Sequence, residues 1–540
     1  MKRLTACIFF LLTGFISFAQ SPVPRPKLVV GIVVDQMRWD FLYRYSDRYG
    51  SDGLNRMLRE GFSCENTFIN YIPTYTAAGH ASVYTGSTPS LNGIMGNNWY
   101  SKELGRLVYC TEDAGVQTVG SPSAAGKMSP KNLWSNTITD ELRLAQNFRN
   151  KTIAIALKDR GAILPGGHTA NAAYWFDNAT GGWITSTHYL QELPEWVRKF
   201  NDRRLPDSFM QRGWNTLYPI DSYKQSTRDA NAFEGKLLEE DNTFPHQTEA
   251  ISANARYDAF RHTPYGNTLT FELAKAAVEG EGLGRNGTTD FLAVSFSTPD
   301  YIGHTFGPNS IEVEDTYLRF DREMASFLKF LDNRVGKGQY TVFLTADHGV
   351  AHVPGFLKEH KLPGGTIDDS KFRRELNDSL NKYFGLQNAI SNLINHQLYF
   401  NDSVIARSKV PEPEIRRYII RHLMKVPSIM KVIDLAPLSD VVLPDPLKQM
   451  VVNGYNQKLS GDILFLFKPQ WFEGWNTGTT HGVWAPYDAH IPNVWFGWGV
   501  KQGKTNRVVH MADIAPTLAA MLRIQMPNAT IGKVIEEVMK

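Results

Sequence analysis

Four stretches of the chain are near-continuous apolar runs of strand length: Leu28–Val34, Thr152–Leu157, Asp290–Phe296 and Tyr340–Ala346. Unbroken rather than alternating runs suit strands buried on both faces of a parallel sheet. Between them, apolar positions recur at helical spacing. The clearest case is Glu312–Asn333, where Val313, Tyr317, Phe320, Met324, Phe327, Leu328 and Leu331 form one stripe. Phe41–Arg59, Asn132–Asn147 and Asn267–Glu279 also read as helices. Strands alternating with helices over long crossovers predict an α/β fold, a mostly parallel central sheet with helices on both faces.

Three regions break this pattern and read as excursions from one large domain over 21–540. They lie at about 100–130, which is polar and rich in Gly, Ser and Pro, at 166–265, and at 369–459, which is charged and holds helical segments at Phe372–Tyr383 and Glu412–Met424. The chain returns to a strand pattern at Asp462–Phe467, and Met511–Thr517 opens a last helix. Residues 1–20 differ from everything after them. Lys2 and Arg3 precede an apolar Leu4–Phe18, and Ser17-Phe18-Ala19 offers a small-x-small cleavage pattern. That is the signature of a secretory signal peptide, so a periplasmic or secreted protein is expected. No later stretch is long and apolar enough to predict a membrane span.

Composition adds little beyond exclusions. At 42% hydrophobic, 21% charged and a formal net charge of +3, the chain is ordinary for a globular protein and shows no general field for nucleic acid or anionic membrane. After the signal, two cysteines remain, Cys64 and Cys110. In an exported chain they could form one disulfide or stay as separate buried thiols.

The polar residues that close the apolar runs carry the chemistry. Ligands of such sheets bind outside the carboxyl ends of the strands. Here those ends hold Asp35, then Lys158 and Arg160, then Asp300, then Asp347 and His348. Asp300 and His304 are four apart, which sets them on one face if the segment coils. A late Gly-flanked loop adds His481. The loop Asn70–His80 presents Thr76 at a helix start, after Pro73 and before a run of small residues. A Thr there is ordinarily an N-cap, but a helix start also favours anions. Carboxylates and imidazoles without thiolate suit zinc or another divalent first-row ion, and six ligands divide between two ions. A two-metal pair can stabilise the attacking and leaving oxygens of an in-line displacement, with Thr76 as the activated nucleophile. His80, His168 and His490 are left outside this set as packing or structural groups, and His352 is left out as well, although its place four after His348 would let it reach the site.

Taken together, Leu28–Arg38, Pro73–His80, Gly96–Tyr100, Leu157–Arg160, Asp300–His304, Thr345–Gly349 and Thr480–His481 resemble the alkaline phosphatase superfamily. The chain looks most like its bacterial phosphate-irrepressible (PafA-type) alkaline phosphatases with a Thr nucleophile. The resemblance implies that Asp35, Asp347, His348 and Thr76 hold one zinc, and Asp300, His304 and His481 the other. It implies that Asn97, Lys158 and Arg160 bind the phosphoryl oxygens, and that a phospho-threonine forms at Thr76. The expected activity is release of inorganic phosphate from a broad range of small phosphate monoesters. The superfamily's diesterases typically lack the Lys and Arg, so these two favour a monoester over a diester.

A phosphodiesterase or phosphonate hydrolase of the same superfamily is the alternative. A metal- or carbohydrate-binding protein on a dead scaffold would have lost a ligand or the nucleophile, and none is missing. No Cys-x-Pro-x-Arg or Ser-x-Pro-x-Arg segment supports a sulfatase. A monomer with two zinc ions, and with no nucleic acid partner, is expected.

Overall fold

The computed structural model describes residues 24–237, 242–474 and 477–540, so the signal peptide expected at 1–20 lies outside the described residues. The chain builds one large sheet from β1 (Leu28–Val34), β2 (Phe62–Phe68), β3 (Thr118–Val119), β4 (Thr152–Ala156), β5 (Ala172–Asp177), β6 (Gly182–Ser186), β7 (Asp290–Phe296), β8 (Tyr340–Thr345), β9 (His490–Ile491), β10 (Asn493–Gly497) and β11 (Gly503–His510). The order is β9-β2-β10-β8-β1-β7-β4-β5-β6-β3, with β11 pairing β2.

The five central strands, β8-β1-β7-β4-β5, run parallel. The flanks are mainly antiparallel, as at β8–β10, β2–β10 and β5–β6. All four strands expected from unbroken apolar runs sit in the parallel centre, and every residue of β1, β4, β7 and β8 is buried. The fold is the mostly parallel α/β sheet with helices that the alternation predicts.

Three helices carry site residues, α1 (Thr76–Thr85), α2 (Asp159–Gly166) and α4 (Thr298–Phe306), while α3 (Tyr265–Glu281) packs on β7 and α5 (Ile311–Leu331) on α4. α5 starts where Ser310 caps it, its hydroxyl accepting from the Val313 N–H. α1 is buried on all sides, as its run of Thr, Ala, Gly and Ser permits.

The structure departs from the sequence pattern in four places. Phe41–Arg59 is two short helices, Phe41–Arg44 and Leu54–Glu60, because Gly50 and Gly53 interrupt it and Asp321 takes the Gly50 and Leu54 N–H groups. The helix at Asn132–Asn147 is confined to Ile138–Ala145 by a capping box of Thr137 and Asp140. The stretch from 166 is more than an excursion, since it supplies β5 and β6 to the main sheet. The strand at Ile463–Phe467 joins a separate four-stranded sheet with Ile390–Ile394, Gln397–Phe400 and Ile429–Asp434. That sheet and the helices Asp369–Phe384 and Glu412–Leu423 have their own apolar core, which includes Leu376, Leu380, Ile415, Ile419 and Phe465. Cys64 and Cys110 are both buried and free, so the single disulfide does not form.

Candidate active site

The carboxyl ends of the central strands deliver their polar residues to one buried point. β1 ends at Asp35, β4 leads to Lys158 and Arg160, β7 leads into α4 with Asp300 and His304, and β8 leads to Asp347 and His348. α1 begins at Thr76, and the loop after residue 476 brings His481. Thr76, Asp35, Asp300, Asp347, His348, His481 and Lys158 are all buried, while His304 keeps about a third of its side chain exposed and marks the open side.

Two glycines allow this convergence. A Cβ on Gly79 would lie 2.5 Å from Asp347 Cβ, so α1 can press against the β8 loop only because that residue has no side chain. A Cβ on Gly303 would lie 1.9 Å from the Gln36 side-chain oxygen. Space there lets Gln36 donate its amide N–H to Asp300 Oδ1 at 2.7 Å, while its backbone N–H donates to Asp347 Oδ1 at 3.1 Å.

The ligand-type residues form two overlapping groups. Asp300, His304 and His481 offer donor atoms within 4.8 Å of one another, as do Asp35, Asp300 and His348. Asp347 stands beside the second group, with Oδ2 at 3.6 Å from His348 Nε2. The His348 and His481 rings stack at 3.5 Å between centroids. Thr76 Oγ1 lies 3.4 Å from His348 Nε2.

Three features fit cation binding. First, each histidine of the set is fixed in one tautomer by a backbone carbonyl. Nδ1 of His304 donates to Thr479 O, Nδ1 of His481 to Thr74 O and Nδ1 of His348 to Gly349 O, at 2.7, 2.7 and 3.0 Å. That turns every Nε2 toward the carboxylates, at 3.1 Å from Asp300 Oδ1 for His304, 3.6 Å from the same atom for His481 and 3.5 Å from Asp35 Oδ1 for His348, where a cation would take the place of any proton. Second, Asp35 Oδ1 is buried without a hydrogen-bond partner among the described residues, and Asp347 Oδ2 meets only the long 3.3 Å approach of His80 Nδ1 among them. Third, the donors are only N and O, as divalent first-row ions accept.

Lys158 Nζ bridges the carboxylates, donating to Asp35 Oδ2 at 2.6 Å and Asp300 Oδ2 at 2.5 Å. Burial and repulsion from Asp300 and Asp347 raise the Asp35 carboxyl well above the usual range. Burial also works against ionised Asp300, but His304 and Lys158 more than offset it and hold Asp300 well below. Burial pushes His481 well down, and His348 and His304 push it further, so its ring is neutral and able to ligate.

The remaining expected residues lie on the same rim. Asn97 accepts the Ala77 N–H at the start of α1 at 2.9 Å, which engages its oxygen and leaves its NH2 to donate. Arg160 donates to Tyr109 Oη at 3.0 Å, and its buried Nε has no partner among the described residues. Tyr109 and Thr111 in turn donate to Asp159 at 2.7 and 2.6 Å.

Two groups escaped the sequence reading. Gln36 takes a positive φ of 68°, which nothing in a Gln residue signals, although its place beside Asp35 at a strand end is visible. His80, read as a packing residue, does more. Its Nδ1 lies 2.8 Å from Thr76 O and 3.3 Å from Asp347 Oδ2, and Ser295 Oγ lies 2.7 Å from Nε2. Because the helix spacing puts His80 one turn after Thr76, it ties the nucleophile helix to a carboxylate of the set. His352 points away, to Asn309 and Arg38, while His490 and His168 bond to the Glu65 and Ser135 carbonyls.

Parallel strands that end in carboxylates and imidazoles, facing a hydroxyl at a helix start, define a phosphoester-cleaving α/β protein of the alkaline phosphatase type. The chain belongs to the type I phosphodiesterase/nucleotide pyrophosphatase family of that superfamily, whose model matches residues 29–472. It is 50% identical over 519 residues to alkaline phosphatase PhoV of Synechococcus elongatus, covering 96% of this chain and 94% of the relative. It is 51% identical over 536 residues to a Myroides odoratus protein named calcium-transporting ATPase, covering 98% and 97%. The crystal structure of alkaline phosphatase PafA superposes with a TM-score of 0.94 at 49% identity, covering 96% of this chain and all of that one. Among the described residues, no helix is long and apolar enough to cross a membrane.

Proposed function

We propose that the protein is an exported, zinc-dependent alkaline phosphatase that hydrolyses phosphate monoesters through a phospho-threonine at Thr76. What carries the reading is the buried Thr76 hydroxyl beside His348, a member of an N/O ligand set whose carboxylates Asp35 and Asp300 also hold the Lys158 ammonium. Half-identity over nearly the whole chain to proteins named alkaline phosphatases supports the reaction class. Asp35, Asp347, His348 and Thr76 would hold one zinc, and Asp300, His304 and His481 the other. When bound, the two ions supply Lewis acidity to the attacking and departing oxygens and to the hydrolytic water.

The chain's own residues do the rest. The NH2 of Asn97, the guanidinium of Arg160 and the ammonium of Lys158 receive the non-bridging oxygens of the dianion. Thr76 Oγ, having given its proton to solvent, forms a bond to phosphorus as the bond from phosphorus to the ester oxygen breaks. The alcohol departs with the electron pair and takes up a proton from solvent. Water then attacks the phosphothreonine, returning the hydroxyl to Thr76 and releasing inorganic phosphate. Throughout, His80 holds the first turn of α1 against Asp347, and Gln36 holds Asp300 and Asp347 in register. The basic, apolar and small-residue order of Lys2–Ala19 supports export.

Acid-quenched enzyme digested to peptides tests the nucleophile: phosphate is expected on Thr76, and Thr76→Ala is expected to lose monoester turnover. Near-wild-type turnover by Thr76→Ala would sink the assignment. The family's name keeps a phosphodiesterase reading in view. A diester kcat/KM above that of the matching monoester would favour it.

A further inference from the structure

Beside His304 lies a cavity of about 300 Å³ lined by His304, Phe472, Glu473, Thr477, Thr479 and Thr480 together with Gly474 and Gly478. Its position follows from the row of groups across the site. Thr76 Oγ1 is next to His348, His348 stacks on His481, and His481 is followed by His304, with ring centroids 5.1 Å apart. An in-line displacement sends the departing oxygen to the side away from the nucleophile. Along this row that side is His304, the half-open ligand, and the cavity beyond it.

The cavity wall is firmly tied to the ligand. Thr479 N–H donates to His304 O at 2.9 Å, His304 Nδ1 donates to Thr479 O at 2.7 Å, and a Cβ on Gly478 would lie 2.3 Å from His304 O.

Glu473 is the unexplained member of that wall. It ends the short strand Trp471–Glu473, with Phe472 anchored in the apolar core of the smaller sheet. Its side chain is only 17% exposed, and Oε1 has no hydrogen-bond partner among the described residues. The nearest basic group, His396 Nε2, is 4.0 Å away. His396 is itself buried and pushed down to about 4, so it brings no charge at neutral or alkaline pH. Burial, then Asp369, raises the Glu473 carboxyl to about 8. A buried acceptor that has no donor among the described residues is costly unless a ligand supplies one.

We propose that this cavity receives the leaving group and that Glu473 accepts hydrogen bonds from its hydroxyls, favouring phosphate esters of polyols and sugars over those of simple alcohols. The inference rests on the phosphatase reading above and adds a substrate class to it. The Thr477 and Thr480 hydroxyls supply further polar contacts. Glu473 takes no part in bond making or breaking; it selects the alcohol.

The test compares glycerol 1-phosphate with propyl phosphate, which share a three-carbon chain and differ in hydroxyls. Poor alkoxide leaving groups keep the chemical step limiting for both. Zinc-loaded wild type, Glu473→Leu and the near-isosteric Glu473→Gln are assayed side by side at a pH above the value of about 8 at which the Glu473 carboxyl ionises, with thermal unfolding as a check on folding. For Glu473→Leu, kcat/KM for glycerol 1-phosphate should fall about tenfold, the loss of hydrogen bonds to a charged acceptor. Propyl phosphate should change less than about twofold, and Glu473→Gln, which keeps one acceptor oxygen, should fall between. A parallel change on both esters, or no change on either, overturns the proposal. Failure of the wild type on both esters would instead defeat the phosphatase reading beneath it.

Discussion

Replacing Lys158 with Met should destabilise the metal-free protein far more than the metal-loaded one. Lys158 Nζ sits 2.6 Å from Asp35 Oδ2 and 2.5 Å from Asp300 Oδ2, and all three side chains are buried. Methionine keeps most of the bulk but removes the charge, leaving two carboxylates facing each other out of water. Losing one partner of a buried ion pair costs about 3–5 kcal/mol. For a chain of 540 residues, an unfolding entropy of about 2.1 cal/mol/K per residue gives about 1.1 kcal/mol per degree. The chelated variant should therefore unfold about 3–5 °C below chelated wild type. With zinc bound, the cations neutralise the same carboxylates and the gap should shrink to about 1 °C or less. Differential scanning calorimetry of both proteins, each with chelator and with zinc, reads this directly at alkaline pH. Equal gaps in the two states would show that Lys158 and the metals do not share the carboxylates, and the reasoning would fail.

Arg160→Ala should lower kcat/KM for an aryl monoester by about 10- to 100-fold, the loss of charge-assisted hydrogen bonds, and spare the matching diester, which has one fewer anionic oxygen. Equal losses on both would remove Arg160 from phosphoryl recognition. Chelation should abolish turnover and zinc restore it, with metal analysis reaching about two ions per chain at full activity; saturation near one ion would contradict the two-site division. Glu323, in α5, donates nothing to the site and is raised to about 7 by burial, with the Thr268 hydroxyl opposing. Its folded value exceeds its unfolded one, so its penalty is absent in acid and grows as pH rises from the unfolded value toward 7. Glu323→Gln should raise Tm at alkaline pH and leave it nearly unchanged in mild acid; a gain that is the same at both would refute the assignment.

The parallel centre of the sheet was readable because its strands are buried on both faces. Burial on both sides forces unbroken apolar runs, and Leu28–Val34 and Tyr340–Thr345 show them plainly. β2 was not readable, since Phe62-Ser-Cys-Glu-Asn-Thr-Phe68 mixes polar and apolar residues as strands outside the centre do. The polar strand ends could be listed as a set from position alone, because α/β topology gathers carboxyl ends. What position alone could not convey is how they are held. Gln36 needs a backbone conformation that its residue type does not announce, and the Tyr109–Asp159–Thr111 contacts join an excursion to α2 across about fifty residues of chain. Glu473 was equally invisible, as a charged residue in a loop reads as solvated until the fold buries it.

The carbonyls that orient the three histidines belong to Thr74, Gly349 and Thr479, and none of them is a side-chain atom. Ring orientation is thus written into the route of three loops and not into the identity of any neighbouring residue. Substitutions around the histidines can accumulate without turning a ring, provided the loops keep their course. A single insertion or deletion in any of these loops would shift a carbonyl and rotate a donor. Outside the close-packed Gly79, Gly303 and Gly478, tolerance in this centre should therefore be wide for residue exchange and narrow for loop length, the reverse of what holds when carboxylate side chains do the orienting.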